Sequence, residues 1–108
     1  MDLERILTDE SSPRLGTTPE ALARGIVENL FFHQGRLPES ASAKAWYTAL
    51  AVTLRHRVMP KWANTLESRR EPGVRQVAYL SAEFLLGPHA GSVIQALELG
   101  DEVREACE

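Results

Sequence analysis

The sequence predicts an α/β chain that is mostly helical and carries one buried strand. Three observations lead there. Apolar residues recur at helical spacing over about 19–34 and 43–70. Val77 to Leu80 is a short apolar run with a β-branched and an aromatic residue, bounded upstream by Pro72-Gly73; this is the pattern of a strand, about 75–81, covered on both faces. Gly87-Pro88 and Gly100 then set off two short helices, about 91–99 and 102–107. A strand covered on both faces needs sheet neighbours. Only one convincing strand is readable, so 75–81 is expected to belong to a larger sheet.

Residues 1–17 are poorly patterned. Ser11-Ser12-Pro13 and Gly16-Thr17 interrupt any helix, which predicts a flexible N-terminal arm ahead of a domain over 18–108. Thr18-Pro19-Glu20 starts the first long helix with a hydroxyl cap, a proline at the first position and an acid at the positive dipole end. Leu22, Ile26 and Leu30 mark its apolar face, and Gly35 suits its C-cap. Ser40-Ala41-Ser42 opens the second helix, where Trp46, Leu50, Leu54, Val58 and Trp62 recur every fourth residue. That stripe reads as core. Pro60 removes a backbone donor inside the pattern, so a kink near Met59 or a break is expected there. Beyond the loop, Gly91 or Ser92 can start the third helix, and Gly100-Asp101 supplies a stop and an acidic N-cap for the fourth.

The 108 residues suffice for one small domain. The net charge of −3 gives no electrostatic case for nucleic acid or an anionic membrane. Cys107 is the sole cysteine, so no internal disulfide can form. The N-terminus lacks an apolar signal core and no run approaches a membrane span, which makes a cytoplasmic protein the expectation.

No complete catalytic set is legible. His33, His56 and His89 are far apart and lack partners at metal spacing, so no metal site is expected. Gly87-Pro88-His89-Ala90-Gly91 is too short for a phosphate loop and has no following lysine. Arg55-His56-Arg57 and Arg69-Arg70 read as a solvated helical face or salt-bridged arginines before they read as an anion site. Glu83 is the one carboxylate placed where a buried strand opens into a glycine-bearing loop, a position at which α/β folds put ligand sites. Its alternative role is structural, capping a helix or pairing with an arginine.

Two stretches resemble one family. Tyr79-Leu80-Ser81, Glu83-Phe84-Leu85 and Gly87 resemble the YLSxEFLxG signature near the N-terminus of α-glucan (glycogen, starch, maltodextrin) phosphorylases, with Leu86-Gly87-Pro88-His89 similar to a bacterial variant. Tyr47, Ala49-Leu50-Ala51, Thr53 and Arg55, followed by Trp62 and Thr65, resemble a second phosphorylase pattern upstream. The resemblance covers about residues 20 to 106. It departs from the family at His56, where an acidic residue is usual, and at Gly91-Ser92-Val93, which lacks the family's paired asparagines.

The resemblance implies an N-terminal fragment, 18–108 being part of a phosphorylase N-terminal domain whose sheet contains the strand. The full enzyme would be a glycosyltransferase that removes terminal α-1,4-linked glucose with phosphate, giving glucose 1-phosphate. Its partners would be an α-glucan, phosphate and a second subunit. Its cofactor would be pyridoxal phosphate on a lysine of the C-terminal domain. This chain has neither that lysine nor the family's Gly-rich phosphate loop, so no catalytic and no cofactor-binding residue is expected in it. Glu83 alone is carried over as near-site, with a positioning and electrostatic role. The AMP and phosphorylation controls of animal relatives are not carried over: Ser11 and Ser12 follow acidic residues, and no tyrosine lies between Trp62 and Val74. The alternative is a stand-alone helical interaction or subunit-contact module derived from such an enzyme.

Overall fold

The computed structural model describes residues 3–82, 87 and 89–108. The described residues are helical and form no strand. α1 (Leu3–Leu7) leads into a turn-rich stretch; α2 (Pro19–Glu28) runs straight into a π-helical turn, Asn29–His33. A 3-10 turn, Pro38–Ser40, precedes the long α3 (Ala43–Ser68), and α4 (Ala90–Ala96) and α5 (Gly100–Cys107) close the order.

The α/β expectation is therefore corrected. Residues 75–81 run as irregular backbone, with Val77 and Leu80 each 94% exposed and Tyr79 88%. An apolar, β-branched run becomes a strand only when a neighbour pairs with its N–H and C=O groups and covers its faces. Among the described residues no second β-forming segment exists to do either. The sequence pattern reports hydrophobicity, not the presence of a partner.

The starts of α2 and α3 follow their sequence signals. The Thr18 hydroxyl accepts from the Ala21 N–H at 3.2 Å, and Ser42 does the same for Ala45. Such caps each contribute about 1 kcal/mol. Gly35, at φ +64°, ends the π-turn by donating to the Phe31 carbonyl, while Arg36 N–H reaches Leu30. α3 continues through Pro60 without a break, against the interruption considered from sequence. α5 begins at Gly100 with Leu99 at its cap position and no side-chain cap bond, so Asp101 lies in the first turn instead of capping it.

Two apolar groups form the core. Leu22 and Leu54 meet Leu99 and Val103, joining α2, α3 and α5; Ile26 and Leu30 pack on Ala45 and Ala49. Each buried leucine or isoleucine contributes roughly 1.5–3 kcal/mol. The face of α3 against α2 is Ala45, Ala49, Thr53 and Arg57, one residue out of phase with the large apolar stripe. Small side chains let the two backbones approach. Leu54 of the stripe is buried, Trp46 and Leu50 are half-buried, and Trp62 is exposed. From Lys61 to Ala82 every residue is exposed. The Cα radius of gyration, 16.2 Å, exceeds the ~13 Å of a compact domain of this length, because the end of α3 and the segment after it project from the bundle. Among the described residues no helix is long and apolar enough to cross a membrane.

Candidate functional site

Glu83, the near-site candidate, lies outside the described residues, as do Phe84, Leu85, Leu86 and Pro88. What flanks them is described. Gly87 and His89 face α3 across a cleft of about 470 Å³, lined on the α3 side by Tyr47, Ala51 and Val58 and on the α4 side by Val93. Gly87 and His89 of one phosphorylase-like stretch thus lie across this cleft from Tyr47, Ala51 and Arg55 of the other. Gly87 sits at φ +111°, a conformation that side chains with a Cβ rarely adopt. The cleft wall is mostly apolar. Arg55, His89 and the Tyr47 phenol are its polar groups, and they form no nucleophile–base pair.

A second arrangement was not legible in the sequence. Arg57 is buried between α2, α3 and the stretch before α2. Its Nε donates to the Gly16 carbonyl at 3.0 Å, Nη1 to the Thr53 carbonyl at 3.0 Å and Nη2 to the Ala21 carbonyl at 3.5 Å. No carboxylate joins it among the described residues. Burial pushes the guanidinium down to about 10. The expectation of a solvated or salt-bridged arginine is thereby corrected at Arg57: backbone dipoles stand where a counter-ion would. Glycines make room for this. A Cβ on Gly16 would collide with the Glu10 carbonyl and come within 2.7 Å of Ala21 Cβ. A Cβ on Gly25 would collide with the Pro13 carbonyl and come within 3.2 Å of Thr53 Cγ2. The available signal was the run Ala45, Ala49, Thr53, Arg57 at intervals of four. Its small members mark a close helix contact, and Arg57 extends that contact.

Beside Arg57 on α3, His56 and Arg55 open into another cleft. Val52, Arg55 and His56 share one face of α3, at i, i+3 and i+4; Asn29, Phe32 and His33 share the facing side of the π-turn at the same spacing. Arg14 completes the wall from the stretch before α2. His56 Nδ1 is buried and has no hydrogen-bond partner. Burial lowers the His56 pKa from its ordinary value, and Arg14, Arg57, Arg55 and His33 lower it further. Asn29 Nδ2 donates to Thr53 Oγ1 at 2.9 Å, which ties the two walls together.

Among the described residues no group of histidine, cysteine and acidic side chains could hold a metal ion. The cofactor implied by the resemblance does not fit the described clefts. Its attachment needs a lysine, and the chain's two lysines, Lys44 and Lys61, lie exposed on α3 away from these clefts. No chemistry is routed through that group.

Comparison with known proteins points to the same family that the two sequence patterns resemble. The chain is 42% identical over 95 residues to a glycogen phosphorylase of Synechocystis sp., an alignment covering 88% of this chain and 11% of that protein. It is 33% identical over 105 residues to a glycogen phosphorylase of Pasteurella multocida, covering 94% of this chain and 13% of the relative. A glycogen phosphorylase of Chlamydia trachomatis is 34% identical over 87 residues, covering 81% and 11%. No family model and no solved structure matches the chain. The chain thus spans only a small part of the length of the curated relatives it matches. By sequence it belongs to the glycogen phosphorylase family, as a fragment-length member.

Proposed function

We propose that this chain supplies one wall of an α-glucan phosphorylase. The whole enzyme would transfer the terminal α-1,4-linked glucose of a glucan to phosphate and release glucose 1-phosphate. The observation that carries this reading is the similarity, 33–42% identical over most of the chain, to proteins named glycogen phosphorylase. The cleft in which Tyr47 and Ala51 of one pattern face Gly87 and His89 of the other supports it, because the two patterns then serve one surface. The exposed apolar side chains of Trp62, Val77, Tyr79 and Leu80 also support it. So large an apolar surface is normally covered by further protein.

In this reading the chain alone is not catalytic. Pyridoxal phosphate, the glucan and phosphate belong to the whole enzyme, which would work in the cytoplasm as a homodimer. Residues 18–108 would form part of its N-terminal domain, with residues 1–17 an arm whose inner end, Gly16, is fastened to α3 by Arg57. Glu83 would act as a positioning residue, its charge orienting neighbouring elements without transferring a proton. The stand-alone interaction module has no observation in its favour beyond those that also fit a phosphorylase wall.

The test is a chimera. The corresponding segment of the Synechocystis relative is replaced by this chain, and phosphorolysis of glycogen is followed as glucose 1-phosphate release. An active chimera is expected, and none from the chain alone. Glu83→Gln in the chimera should lower kcat while leaving cofactor absorbance intact. A folded, cofactor-loaded chimera without activity would sink the reading, as would glucose 1-phosphate release by the 108-residue chain.

A further inference from the structure

We propose that the cleft between the π-turn and α3, lined by Arg14, His33, Arg55 and His56, binds a phosphate group. This does not rest on the phosphorylase reading; it follows from the cleft. Two arginines and two imidazoles converge on it from three separate parts of the chain, and no acidic side chain is in its lining. One acid, Glu28, lines the adjoining groove with Arg14, Asn29 and Phe32, and is held by Arg24 at 3.1 Å. Arg14 and Arg55 have no ion-pair partner among the described residues, and both are exposed enough to turn toward a ligand.

His56 adds a specific feature. Its Nδ1 is shut away from solvent and finds no partner in the protein. The nitrogen is closed off from the cleft as the ring stands; a ligand that drew the imidazole outward would give it a partner and recover the free energy that a buried unpaired polar atom costs. A protonated His56 can donate from both ring nitrogens, and a phosphate dianion is a ligand able to hold it protonated among its three arginine neighbours. Arginine's planar fork matches phosphate oxygens. The cleft encloses about 590 Å³ and is open to solvent, so it has room for inorganic phosphate or for a phosphate monoester with part of its body against Phe32. The Asn29–Thr53 hydrogen bond ties the π-turn to α3, so the two walls are joined without a ligand.

The test follows the C–H resonances of His33, His56 and His89 by NMR in the 108-residue chain. Inorganic phosphate is titrated against chloride at matched ionic strength, and methyl phosphate is run alongside. The expected result is a saturable upward movement of the His56 pKa, with a smaller one at His33 and none at exposed His89. Response to the monoester as well would mark the phosphate group, not the free ion, as the ligand. Arg55→Met and Arg14→Met, both at exposed positions, should each weaken binding roughly tenfold, as expected for loss of one charged hydrogen bond. No movement at His56 with either ligand overturns the proposal. So does an equal movement at all three histidines, or binding unchanged in both arginine variants.

Discussion

Arg57 Nε lies 3.0 Å from the carbonyl oxygen of Gly16, a bond that spans 41 residues of sequence and fastens the stretch before α2 to the middle of α3. The other two acceptors of this guanidinium, the Thr53 and Ala21 carbonyls, are helix carbonyls that already accept from N–H groups four residues on. Gly16 is different. No other donor to its carbonyl is found among the described residues.

Arg57→Met should therefore cost about 1–3 kcal/mol, the penalty of one buried carbonyl left without a donor. Arg57→Lys should recover only part, since an ammonium cannot address three carbonyls in a planar fork. Urea unfolding measures both. A methionine variant as stable as the parent would show that the buried cation costs as much as its bonds return.

Gly25→Ala should destabilise the chain even though alanine favours an α-helix by about 1 kcal/mol over glycine. The new methyl meets the Pro13 carbonyl and lies 3.2 Å from Thr53 Cγ2, so the stretch before α2 must lift away from α3. A thermal melt decides the sign. A rise in Tm would show that propensity outweighs the close approach.

Glu98 sits at φ +58°, the left-handed position after α4, where Leu99 N–H closes the turn on the Ile94 carbonyl at 3.1 Å. A residue with a Cβ is disfavoured there by about 1 kcal/mol. Glu98→Gly should raise stability by a comparable amount, since glycine is the usual occupant of this cap. Equal denaturation midpoints for the two chains would count against the assigned turn.

His56 makes stability depend on pH. Burial, followed by Arg14, Arg57, Arg55 and His33, holds its folded pKa below the ordinary value. Between the folded and unfolded values the unfolded chain binds more protons, so stability rises with pH through that window and is lowest on its acid side. His56→Gln should flatten the slope of Tm just below the ordinary histidine value of about 6.5. Parallel Tm curves for parent and variant over that range would contradict the burial described here.

The two long helices, with their caps at Thr18, Ser42 and Gly35, were legible because each signal is local. A hydroxyl three residues before a free N–H, or a glycine at a left-handed position, acts without knowledge of the rest of the molecule. The family was legible for a similar reason, since Tyr47 to Thr65 and Tyr79 to Gly87 keep their spacing in linear order. Val77 to Leu80 shows where that ends. Its composition suits a strand, but a strand is a relation between segments, and among the described residues there is no partner, so the run stays exposed.

The sequence by itself determined the two long helices, the hydroxyl caps that start them, and the family, but not α1, which falls where an arm was expected, nor the start of α5. Tertiary structure alone decided the phase of α3. It turned Ala45, Ala49, Thr53 and Arg57 inward in place of the larger stripe, because α2 approaches closely where side chains are small. That choice of phase buried Arg57 on carbonyls and turned Arg55 and His56 toward His33 and Arg14, which no spacing in the sequence connects.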